Sequence, residues 1–179
     1  MNHGDILLTI ARASISGCFG LEYPEPDCPG ELNEHGATFV TLTKHGQLRG
    51  CIGTLEAHRP IVIDTRQNAL MAAFRDPRFP PMIEAEYEVV KIEISLLSKA
   101  SPIPFSNEKE ALLALRPGTD GVILECGSRR STFLPQVWES LAEPESFLGE
   151  LKQKAGLPAR FWSEEIRLSR YTVTKWKES

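Results

Sequence analysis

The hexapeptide Leu48-Arg49-Gly50-Cys51-Ile52-Gly53 sets a thiol two residues after a guanidinium, with one glycine between them and a second glycine two places on. Residues two apart on a strand share a face, so Arg49, Cys51 and Gly53 read as one side and Leu48, Gly50 and Ile52 as the other. The apolar Leu48 and Ile52 assign their side to the core, which leaves Arg49 and Cys51 together on the opposite one. Glycine weakens a strand that only has to pack, and suits a place where a ligand or another backbone comes close. A cation beside a cysteine favours the thiolate, the reactive form. Two chemistries follow. In the first, Cys51 is a nucleophile, Arg49 stabilises the thiolate or a substrate anion, and His58 is the base; that base has to lie within hydrogen-bond reach of the thiol. In the second, Cys51 is the small buried hydrophobe that most free cysteines are, and the strand serves binding alone.

Further residues could line the same cleft. Asp76-Pro77-Arg78-Phe79-Pro80-Pro81 stiffens the chain, and Asp76 is set either to pair with Arg78 or to accept N–H groups of its own turn. Turn chemistry accounts for that segment as a rigid helix stop with Phe79 plugging the core, and an Arg78→Ala change with unaltered melting but lost binding would mark it as functional. Gln136 follows Pro135 in the first turn of a helix, where its amide could meet a bound group. The binding reading thus takes in Leu48, Gly50, Ile52, Gly53, Asp76, Arg78 and Gln136.

The elements that position these residues are legible along the chain. Residues 5–18 form an amphipathic helix with Asp5 as N-cap. A proline-rich loop over residues 23–36 precedes the run Thr38 to Thr43. The turn Lys44-His45-Gly46-Gln47 then folds the hexapeptide back as a hairpin partner. Pro60 opens a helix running to about Arg75, whose alanine-rich side suits close approach to a sheet, and whose start would favour an anion near Arg49 and His58. Residues 87–97 alternate as a strand. Asn107 caps the next helix. Val122 to Cys126 and Ser131 to Leu134 form a second hairpin about Gly127-Ser128-Arg129-Arg130. Helices begin at Pro135 and Glu145, and Glu165 to Trp176 reads as one last strand.

Composition sets wider bounds. A chain of 179 residues with 41% hydrophobic and 25% charged residues suits a soluble domain with a sizeable core. The net charge of −4 argues against a dedicated nucleic-acid binder, despite Arg49 and the Arg129-Arg130 pair. The Gly50-x-x-Gly53 spacing is that of a KH-domain loop, but such a loop joins helices and this one lies in strand. No run of apolar residues is long enough to cross a membrane. The N-terminus lacks the pattern of a signal peptide, which points to the cytoplasm. The four cysteines are spread without any Cys-x-x-Cys pair, so neither a metal nor another cofactor is called for.

Taken together, these stretches resemble the AMMECR1 family. The hexapeptide matches that family's hallmark, and residues 68–80, 132–139, 155–162 and 170–176 are similar to its recurring blocks. Cys126-Gly127-Ser128 departs from it, since the family has a more glycine-rich turn there. The resemblance implies one domain over residues 1–179, with an α+β fold of mainly antiparallel β-sheet and flanking helices in a larger and a smaller lobe. It implies no settled reaction. Prokaryotic members stand beside, or are fused to, Memo-like and radical-SAM proteins, which implies a shared pathway acting on a small molecule, a protein or a nucleic acid.

Overall fold

The computed structural model describes residues 2–179. Helix α1 (His3–Cys18) and a 3-10 turn at Gly30–Asn33 precede β1 (His35–Lys44), β2 (Gln47–Gly53) and β3 (Arg59–Pro60). Next come α2 (Ile61–Phe74), α3 (Glu84–Tyr87), β4 (Val90–Leu97), β5 (Ser101–Pro102), α4 (Glu108–Ala114), β6 (Gly121–Cys126) and β7 (Arg129–Phe133). A 3-10 turn at Pro135–Glu139, α5 (Pro144–Lys154), β8 (Arg167–Tyr171) and β9 (Val173–Lys177) complete the order. One compact unit takes in the chain through Leu97 together with Thr174–Ser179; the other is Ser98–Val173. Each is built on an antiparallel sheet with helices, the α+β class that the sequence predicts.

In the first unit the sheet order is β2-β1-β4-β9, with β3 paired to β1. Val40 and Leu42 of β1 and Ile92 and Ile94 of β4 are fully buried in one cluster with Leu7 and Ile10 of α1 and Ala69, Ala72 and Ala73 of α2. A polar network ties α2 to β1. The buried Asp64 carboxylate accepts from the Thr38 N–H (2.8 Å) and hydroxyl (2.7 Å), and Asn68 Nδ2 donates to the Thr38 carbonyl at 2.9 Å. At the α2 start, Ile61 N–H donates to the Glu34 carbonyl and Arg59 is bound to Asp64. The true cap of α1 is Asn2, reciprocally bonded with Asp5, three residues earlier than the pattern suggests.

The β1–β2 hairpin turns through His45 and Gly46, both at positive φ, the two-residue geometry that matches strand twist. Its register pairs Val40 with Ile52, Thr41 with Cys51 and Leu42 with Gly50, but then Thr43 with Leu48, so Arg49 has no residue opposite it in β1. This bulge corrects the face assignment. The extra residue moves Leu48 off the core side onto the side of Thr43, where it is 45% exposed, and Arg49 is the buried neighbour instead. Ile52 keeps its expected place against the core.

The second unit orders its strands β5-β8-β6-β7. Its core gathers Val122, Leu124, Trp138, Phe147, Leu148, Leu151 and Leu168, with the Trp138 and Phe147 rings stacked 3.7 Å apart. Two elements differ from the sequence pattern. The segment after Pro135 is a 3-10 turn, and the apparent last strand breaks at Thr172 into β8 and β9, which belong to different sheets. At the break, Ser98 and Thr172 exchange two hydrogen bonds of 2.9 Å. Tyr87 lies in α3, so the 87–97 strand starts only at Val90.

Both hexapeptide glycines have a packing reason. A Cβ on Gly50 would stand 2.2 Å from the Ala72 carbonyl oxygen, and one on Gly53 would meet the Phe39 ring at 2.1 Å. Gly17, in α1, has open space where its Cβ would be. Gly50→Ala should therefore lower the unfolding free energy by about 1–3 kcal/mol, as overpacking does. Gly17→Ala should raise it by up to about 1 kcal/mol. Urea unfolding of the two variants checks both signs.

Candidate functional site

Cys51 lies on β2, an edge of its sheet. Both its main-chain groups point away from β1 and are taken by one turn of chain. Cys51 N–H donates to Asp76 Oδ2 at 2.9 Å, and its carbonyl accepts from Arg78 Nη2 at 3.1 Å. The same Asp76 carboxylate accepts the Arg78 N–H (3.0 Å), Nε (3.0 Å) and Nη2 (2.7 Å). Both sequence alternatives for Asp76, the ion pair and the turn, thus occur together. The Arg78 hydrogen bonds hold the buried Asp76 carboxyl well below the usual carboxylate range, helped by the Cys51 and Arg78 N–H groups and opposed by burial. The half-buried thiol of Cys51 lies 3.3 Å from the Thr41 hydroxyl on the neighbouring strand. Arg78 is thus the guanidinium that bonds to Cys51.

Arg49 is committed elsewhere. Nε and Nη2 clasp the two Glu86 carboxylate oxygens at 3.0 and 2.8 Å, and Nη2 also donates to the Pro80 carbonyl at 2.9 Å. Lys44 Nζ reaches Glu86 Oε1 at 3.0 Å, and Ile83 N–H donates to Oε2 at 3.2 Å. The Arg49 hydrogen bonds, with those of Lys44 and Ile83, hold Glu86 down to about 2 against the opposing effect of burial. Phe79 is half-buried outside the main cluster, with the Arg49 and Arg78 guanidinium groups 5.9 and 5.6 Å from its ring centroid, so it is not the core plug that its sequence suggests.

The other residues singled out in the sequence fall as follows. His58 has a side chain 68% exposed and pairs with Glu56 at 3.0 Å; among the described residues no hydrogen bond joins it to Cys51. Gly50 and Gly53 face the Ala72 carbonyl and the Phe39 ring. Gln136 is exposed and belongs to the second unit. Glu86, Lys44 and Thr41 were not anticipated. Thr41 faces Cys51 only because of the bulge, since counting back from the turn would pair Cys51 with Val40, and Glu86, 37 residues from Arg49, carries no local signal either.

Residues 8–176 match the family model AMMECR1. The chain belongs to the AMMECR1 family. A relative from Methanothermobacter thermautotrophicus is 36% identical to this AMMECR1 chain over 187 residues, covering 99% of it and 95% of the relative. A Thermotoga maritima relative is 37% identical, covering 86% of the AMMECR1 chain and 85% of its own. The crystal structure of the uncharacterized protein PH0010 from Pyrococcus horikoshii superposes with a TM-score of 0.77 at 34% identity, over 98% of this chain and 91% of that one.

In this AMMECR1 chain, Arg78→Ala removes the cation from a buried carboxylate, so it should lower the melting temperature and not leave it unaltered. Asp76→Ala should cost about 1–3 kcal/mol by stripping the Cys51 N–H of its acceptor. The folded-state pKa of Glu86 lies below its ordinary 4.5, so its ion pairs stabilise fully above pH 4.5 and are lost as pH falls toward 2. Denaturant titrations of Glu86→Gln should show less loss of stability across that interval than the parent chain; equal loss in both would contradict the assignment.

Proposed function

We propose that this chain is a non-catalytic binding module whose Leu48–Gly53 strand and surrounding turn meet a protein partner. The division of roles within the hexapeptide carries the reading: Arg49, Gly50 and Gly53 satisfy charge and packing inside their own unit, while Leu48 is turned outward. Ile83, 61% exposed, borders the same Arg49–Glu86 pair through its N–H. Aliphatic side chains beside a rigid ion pair suit the water-excluding centre of a protein interface. The partner is a Memo-like or radical-SAM protein, the companions that the family resemblance implies, and the encounter takes place in the cytoplasm. A net charge of −4 offers a nucleic acid little attraction.

The nucleophile reading has one observation in its favour. The Cys51 thiol is half-buried instead of sealed in the core, and Arg78 is bonded to its carbonyl. A base would then have to come from a substrate or a partner, since His58 is paired with Glu56.

Calorimetric titration of the purified chain with the Memo-like and radical-SAM proteins of the same genome separates the two. Binding to one of them should survive Cys51→Ala and weaken at least about tenfold in Leu48→Asp or Ile83→Asp. Binding that ignores both aspartates would overturn the module, and turnover abolished by Cys51→Ser would install the nucleophile in its place.

A further inference from the structure

The second unit contains a cavity of about 320 Å³ that the reading above leaves unused. Phe105, Trp162, Ser163, Glu164, Ile166 and Arg167 are among its walls. That volume lies at the lower end of small-molecule sites. Ile166 is buried, and the Phe105 and Trp162 rings stand 5.7 Å apart, inclined at 58°. The indole is held before any ligand arrives. The ammonium of buried Lys152 lies 5.5 Å from its centroid, fixed by Glu108 at 2.7 Å and the Ala159 carbonyl at 3.4 Å.

The polar groups at the cavity are of both signs. Arg167 Nη1 donates to the Glu164 and Ile166 carbonyls at 2.8 and 3.3 Å, which anchors the guanidinium by one nitrogen. Its Nε and Nη2 have no protein partner among the described residues. Ser163 Oγ accepts from Glu165 N–H at 3.2 Å, leaving its own O–H free to donate. The Glu164 carboxylate supplies the one negative charge of the lining. A preset aromatic surface, one guanidinium with open N–H groups and one carboxylate together match a ring, a carboxylate and an ammonium on one small molecule.

We propose that this cavity binds a free aromatic α-amino acid, its ring against Phe105 and Trp162, its carboxylate on Arg167 and the Ser163 hydroxyl, and its ammonium toward Glu164. A nucleotide would bring more negative charge than one guanidinium can meet. The site draws on no residue of the Cys51 region.

L-tryptophan is the probe, titrated into the full chain while the three indole N–H signals, those of Trp138, Trp162 and Trp176, are followed by NMR. The Trp162 signal should shift saturably while that of Trp176 stays in place. Tryptamine, lacking the carboxylate, and indole-3-propionate, lacking the ammonium, should each bind about tenfold or more weakly, the loss expected for one charged hydrogen bond. Arg167→Gln and Glu164→Gln, both changes of exposed side chains, should weaken L-tryptophan to the same degree with Trp138 and Trp176 unmoved. A Trp162 signal that does not respond, equal affinity for all three compounds, or wild-type binding by both variants would overturn the proposal.

Discussion

The contact between the Ala72 carbonyl and Gly50 governs the geometry of the first unit. Helix α2 lies so near β2 that its backbone fills the space where a side chain would start, and only glycine permits that approach. From there the rest follows by connectivity. The helix ends at Phe74, and the chain emerges beside the strand edge, bringing Asp76 and Arg78 level with Cys51. A few residues on, it delivers the Pro80 carbonyl and Glu86 to Arg49.

At Cys51 the carboxylate of Asp76 and the guanidinium of Arg78 do what an adjacent strand would do, one accepting from the N–H and the other donating to the carbonyl. An uncovered edge invites pairing with a foreign strand, and side chains that occupy its hydrogen-bonding groups close that route. The hexapeptide is therefore rigid on both sides at Cys51, with β1 on one edge and an ion pair on the other. The features that suggested reactivity in the sequence, the glycines and the arginine, have internal partners.

Much of this was legible in the sequence because the signals were local. His45-Gly46 between a β-branched run and the hexapeptide sufficed for the hairpin, the proline after Asp76 for the helix stop, and the Asp76-x-Arg78 spacing for the pair. What escaped was set at a distance. Nothing near Leu48 announces the bulge, because what holds Arg49 inward is Glu86 and the Pro80 carbonyl, more than thirty residues on. The alternation rule therefore put Leu48 on the wrong face. Likewise Arg167 to Lys177 is continuously strand-like, and the break at Thr172 is fixed by Ser98, far back in the chain. The aromatic cavity was invisible for the same reason: Phe105 and Trp162, far apart in the chain, are brought together by tertiary packing.

That break also ties together the completion of the two units during synthesis. Residues 98–173 form an insertion within the first unit, whose sheet stays incomplete until β9 has left the ribosome. Only then can Trp176 settle over Gly4, and Glu178 join Arg12 of α1 to the Ile92 N–H of β4. β8 ends at Tyr171 and β9 starts at Val173, so the last strands of both sheets emerge together, and one short stretch of chain completes the two units at once.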